Sequence, residues 1–158
     1  MGTLPEMYRI ALSPFQPRGG GVHSVVADLA PRGFLAHQLC LVGSPPVIAP
    51  LASSLDPSSA IYPQLSHLMG NLEAVEAART SVPIVASAGP IANVLLRNQS
   101  WLSTAAAAPM NRHLENGDVV LAINGLNHEQ FVEAARLLLR HGSGNVLTEI
   151  FHWPTDRS

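Results

Sequence analysis

The chain has 158 residues, 47% hydrophobic and 13% charged, with a formal net charge of −2 and a pI near 6.4. That length allows one domain, 1–158, with a substantial core, and the charge gives no electrostatic basis for binding nucleic acid or an anionic membrane surface. All nine basic residues are arginine, and the single cysteine, Cys40, excludes an internal disulfide framework and a cysteine-rich metal site.

A reducing compartment is the simpler expectation. Residues 1–6 lack a basic stretch followed by an apolar one, so no secretory signal is evident and a cytoplasmic location is expected.

In chain order, residues 7–12 alternate with Tyr8, Ile10 and Leu12 on one face, which predicts a strand stopped by Ser13-Pro14. Pro17-Arg18-Gly19-Gly20-Gly21 reads as a flexible connection. Val22, Val25, Val26 and Leu29 then fall at helical spacing, and Gly33-Phe34 turns into a strand over 37–43. Residues 7–43 therefore form a strand-helix-strand half.

Prolines 45, 46, 50 and 57 and the serines between them make 44–59 an irregular connection. Leu65, Leu68, Met69, Leu72, Val75 and Ala78 predict a helix over 63–79. The most apolar run, 82–96, contains two prolines and is shorter than the roughly twenty residues a membrane span needs. It reads as a buried or interfacial hairpin. The alanines at 105–108 and the following residues to Glu115 predict a short helix, so 44–115 is a mainly helical, Pro- and Ala-rich insert.

The second half, 117–153, carries the clearest pattern. Residues 117–124 read as a buried strand. From Asn127 a helix follows, with Phe131, Val132, Ala135, Leu138 and Leu139 on its apolar face. Asn127 is its N-cap, Gln130 takes the capping-box position, and Gly142 closes it in the left-handed conformation. Residues 145–153 make the last strand. Two such halves predict an α+β, ferredoxin-like four-stranded antiparallel sheet covered by two helices on one face.

The stretches 25–34 and 39–43, then 82–92, 114–121 and 135–142, resemble in order and spacing the bacterial general-stress or heat-induced stress protein family. The resemblance implies two strand-helix-strand halves around an apolar insert, with no established activity or cofactor. The family insert is dense in glycine, whereas Gly70 and Gly89 are the only glycines here between Val47 and Leu114. This departure weighs against a membrane contact.

Chemistry-bearing motifs are sparse. The seven histidines are scattered without short ligand spacing, and Cys40 falls in a predicted buried strand, where a thiol behaves as a small hydrophobe. Tyr8, Phe131, Phe151 and Trp153 read as core. No catalytic residue, metal site or cofactor is expected. The surplus apolar run instead suggests a non-enzymatic interaction or assembly module, an accessory subunit that docks on another protein or on itself through Val82, Ile84, Val85, Ile91, Val94, Leu95 and Leu96. One alternative is a small-ligand sensor or enzyme with the insert as a lid, gripping an anion with Arg9, Arg18, Gly19, Gly20 and Gly21. Another is peripheral membrane attachment, which comes from the resemblance alone.

Overall fold

The computed structural model describes residues 6–18, 20–75, 79–98, 101–142 and 146–153, the side chains of 6, 96–98 and 151–153 excepted. It is an α+β fold built on one antiparallel sheet. The strands are β1 (Glu6–Phe15), β2 (Leu39–Gly43), β3 (Leu72–Val75), β4 (Ile84–Ser87), β5 (Val119–Gly125) and β6 (Leu147–Trp153). Their order across the sheet is β3-β4-β2-β5-β1-β6.

The sheet therefore has six strands and not the four expected, because the insert contributes β3 and β4. The helical pattern over 63–79 ends early, at Gly70, and the chain turns into β3. Leu72 and Val75 explain the difference. Three residues apart, they would share one face of a helix, but in a strand they fall on opposite faces. Leu72 packs with the core on one side of the sheet and Val75 with the core on the other.

β1 continues through Pro14 to Phe15, pairing Pro14 with Val120 and Phe15 with Val119. Its pairing with β6 ends at Leu12 opposite Leu147. Beyond Leu12 one side of β1 is an edge among the described residues, the setting in which a sheet tolerates a proline.

Both faces of the sheet are covered. On one, Ala11 and Phe15 of β1, Leu39 and Leu41 of β2, and Val119, Leu121 and Ile123 of β5 meet the helices α1 (Gly21–Leu29), α2 (Pro45–Ser53), α3 (Tyr62–Gly70) and α6 (His128–His141). On the other, Ile10, Leu12, Cys40, Val42, Val120 and Ala122 meet residues 91–114. That second cover comprises α4 (Pro90–Ala92), a π-helical continuation Asn93–Asn98, short turns at Trp101–Ser103 and Ala105–Ala107, and α5 (Ala108–Glu115). Two covered faces explain why every residue of β2 and of β5 is buried. A two-layer sandwich would have left alternate positions in water.

The terminal halves follow their local chemistry closely. Asn127 caps α6, its side chain accepting from Gln130 N at 2.9 Å. The capping box is only half made, since Gln130 Oε1 accepts instead from Leu126 N and from Gln38 Nε2. Gly33 takes the left-handed conformation in its turn, φ 85°, but Gly142 does not. With φ −94° and ψ −170° it is extended. A Cβ there would stand 2.6 Å from both Leu138 O and Ser13 Oγ, so close approach and not backbone freedom requires glycine.

Candidate functional site

A cavity of about 660 Å³ opens on the face covered by α1, α2 and α3. One wall is the connection from β1 to α1, with Gln16, Pro17, Arg18, Gly20, Val22 and His23. The second is α2 with its C-cap, through Pro46, Val47, Pro50, Leu51 and Ser54. The third is the following loop and α3, with Asp56, Ser59, Leu65 and Met69.

The local reasons for these walls are plain. Ser44 ends β2 and its carbonyl accepts from Val47 N and Ile48 N. Pro45 and Pro46 occupy the first helical positions, where an absent N–H costs nothing. The proline-rich stretch 44–59, expected to be irregular, is thus largely helix α2, with Pro50 inside it. Ile48 is its fully buried anchor, which leaves Val47 and Leu51 only half-buried on the cavity side. The loop is fixed by Asp56, whose Oδ1 accepts from Ser58 N at 3.0 Å and Ser58 Oγ at 2.7 Å. These two bonds hold its carboxyl below its ordinary range, the Ser58 hydroxyl first.

Arg18 is exposed at the mouth and makes no hydrogen bond or ion pair with another described residue. Gly20, at φ 72°, turns the chain into α1 with no side-chain cap. Gly21 is tight, since a Cβ there would meet the Phe15 ring at 2.5 Å. Gly19 lies outside the described residues. Of the anion-binding candidates, Arg18 and Gly20 line the cavity. Arg9 does not join them: it pairs with Gly125 at the far end of β1, six residues or roughly 20 Å from Phe15, and its Nη1 donates to Leu126 O.

The partner-contact candidates are placed differently from the expectation. Ile84, Ile91, Val94 and Leu95 are buried in the second core, and Val82 packs against it half-buried. Val85 points to the opposite face. The side chain of Leu96 lies outside the described residues. The run 82–96 is no hairpin. Ile84–Ser87 is a strand, and from Pro90 the chain is helical. The described partner-contact side chains of this run pack on the protein's own sheet.

No family model, curated protein or solved structure matches the chain. The cavity must therefore be judged on its own chemistry.

Cys40 is buried, and burial pushes its thiol up to about 12. Among the described residues no group of three or more His, Cys, Asp or Glu side chains could hold a metal ion, and no helix is long and apolar enough to cross a membrane. Tyr8 is core, as expected, and Phe131 packs half-buried against the core on the opposite face of the sheet. The side chains of Phe151 and Trp153 lie outside the described residues. Sequence reasoning missed Val47, Leu51, Leu65 and Met69 as cavity walls. The available signal was Ser44-Pro45-Pro46, a helix start that the general density of prolines hid.

Proposed function

We propose that this chain is a small-molecule-binding module whose ligand occupies the cavity between α1, α2 and α3, the insert acting as the wall that completes it. The observation that carries this is the cavity itself. Its volume falls within the roughly 300–1,000 Å³ of ligand sites, and an apolar floor under a few polar groups is their usual composition. The floor is Val22, Val47, Leu51, Leu65 and Met69; the polar rim is Arg18, His23, Ser54, Asp56 and Ser59. Ser58, whose hydroxyl donates to Asp56 Oδ1, is not among the lining residues, and binding rather than turnover is the activity proposed.

The finer architecture belongs to the same proposal. The strand order β2-β5-β1-β6, with α1 and α6 packed on one face, supports a ferredoxin-like core to which the insert adds two strands and a second layer. Membership of the heat-induced stress proteins rests on the sequence stretches alone.

The neutral dye Nile red tests the cavity. Saturable fluorescence enhancement at one site is expected, weakened at least tenfold when Leu51→Trp or Met69→Trp fills the space. Enhancement that does not saturate, or that both substitutions leave unchanged, would remove the cavity reading. Light scattering belongs beside it: a stable oligomer would favour the rival proposal of a docking module.

A further inference from the structure

We propose that the ligand is a monocarboxylate on an apolar body, its carboxylate at Arg18 and its body against Val47, Leu51, Leu65 and Met69. This rests on the cavity reading above and adds the charge and shape of the head group.

Three observations converge on it. The side chains of the floor carry no charge and no N–H or O–H, so the part of the ligand packed on them is hydrocarbon, and its transfer from water drives binding. The guanidinium of Arg18, an exposed residue of the cavity lining, makes no hydrogen bond or ion pair with another described residue. A planar, forked donor of this kind is matched by a carboxylate, which accepts two parallel N–H bonds. His23, on the same wall, also lines the cavity and offers a ring nitrogen to a polar head.

Asp56 narrows the class. It lines the same cavity from the loop that follows α2, and its Oδ1 is already supplied with donors by Ser58. It stays ionised, so a dianionic head such as a phosphate monoester would meet like charge in the same cavity. An ammonium head could take Asp56 Oδ2, which Ser58 leaves open, but it would bring a second positive charge to the cavity that Arg18 lines. A monoanion satisfies Arg18 with the least repulsion from Asp56. Alkyl and aromatic acids offer the same chemistry, and the floor alone does not choose between them.

Isothermal titration of the full chain at low ionic strength, with decanoate, naphthoate, decanol and decyltrimethylammonium, makes the test. Decanoate or naphthoate should bind about tenfold or more tightly than decanol or the cation, the factor that one charge-assisted bidentate contact supplies. Arg18→Gln should remove that advantage while leaving the circular dichroism spectrum unchanged. Preference for naphthoate over decanoate assigns an aromatic body, and the reverse an alkyl one. Equal binding of acid and alcohol, or an acid preference indifferent to Arg18→Gln, overturns the carboxylate assignment while saturable Nile red binding keeps the cavity. Failure of Nile red together with all four probes overturns both.

Discussion

His141 Nε2 stands 2.6 Å from Asp28 Oδ2, joining the last turn of α6 to the last turn of α1 across 113 residues of chain. Arg32 extends the contact, its Nη1 donating to the Asp28 carbonyl and its Nε to Glu133 Oε1 at 2.7 Å. The two helices of the separate halves are thus held together at their polar edge as well as by Val25, Leu29, Ala134 and Leu138 beneath.

The pH dependence of stability follows from that pair. The His141 hydrogen bond, aided by the positive charges of Arg32 and Arg140, holds the Asp28 carboxyl below its ordinary 3.8. A depressed carboxyl favours the folded state above its unfolded pKa, and that contribution is lost as pH falls through the folded value. Asp56 and Glu115, lowered by Ser58 and Ser81, lose theirs in the same window. Urea midpoints measured from roughly pH 5 down to roughly pH 2.5 should therefore decline, and Asp28→Asn should decline less steeply. Superimposable curves would show that the contact adds nothing.

Ser87 binds the insert to the first half. Its hydroxyl donates to Leu68 O at 2.7 Å and accepts from Leu41 N at 2.9 Å, while the β2–β4 ladder proper covers only Val42 and Gly43. Leu68 is in the last turn of α3, where carbonyls lack helical partners. Ser87→Ala leaves a buried N–H and a buried C=O unpaired, so it should cost about 2 kcal/mol. Urea unfolding with an unchanged slope checks this, and a loss under about 0.5 kcal/mol, the range of ordinary surface substitutions, would rule it out.

What was legible in the sequence was local. Asn127, the apolar face of α6 and the strands around it announce themselves through spacing and capping, and β5 through its unbroken apolar run. The insert was not legible, because its elements are decided by partners far away in sequence. Leu72 and Val75 satisfy a helical period and yet become a strand once β4 is beside them. Ile84, Ile91 and Leu95 look surplus until the second face of the sheet is seen to need a cover. The cavity lies between helices that begin at Gly21, Pro45 and Tyr62, so apart from the stretch around Arg18 and Gly20 only the helix start at Ser44-Pro45-Pro46 pointed to it.

Gln38 makes a second testable junction. It is fully buried, donating through Nε2 to Asn124 O at 2.9 Å and Gln130 Oε1 at 3.0 Å, and accepting at Oε1 from Leu35 N. Gln38→Met keeps the volume but strands these partners, with an expected loss of about 2–3 kcal/mol. Gln130→Met should cost less, since Gln130 is only half-buried. Because the two amides share a hydrogen bond, the double variant should fall short of the sum by about 0.5 kcal/mol or more. Strict additivity in a double-mutant cycle would mean the amides do not act together.

Cys40 gives a probe of opening that needs no substitution. The side chain is 1% exposed, with Val42 and Ala86 in the same core, and burial pushes the thiol up to about 12. Only the thiolate attacks a disulfide reagent, so near pH 8 a thiol of this kind is ionised roughly a thousandfold less than a free one at about 8.5. Native protein should therefore react with an aromatic disulfide reagent at least about a thousandfold more slowly than protein in urea. Residual labelling should follow opening of the second cover, residues 90–115, and rise in any variant that loosens it. A native rate close to that of the denatured chain would mean that this cover is open in solution, and with it that residues 82–96 are free to meet a partner.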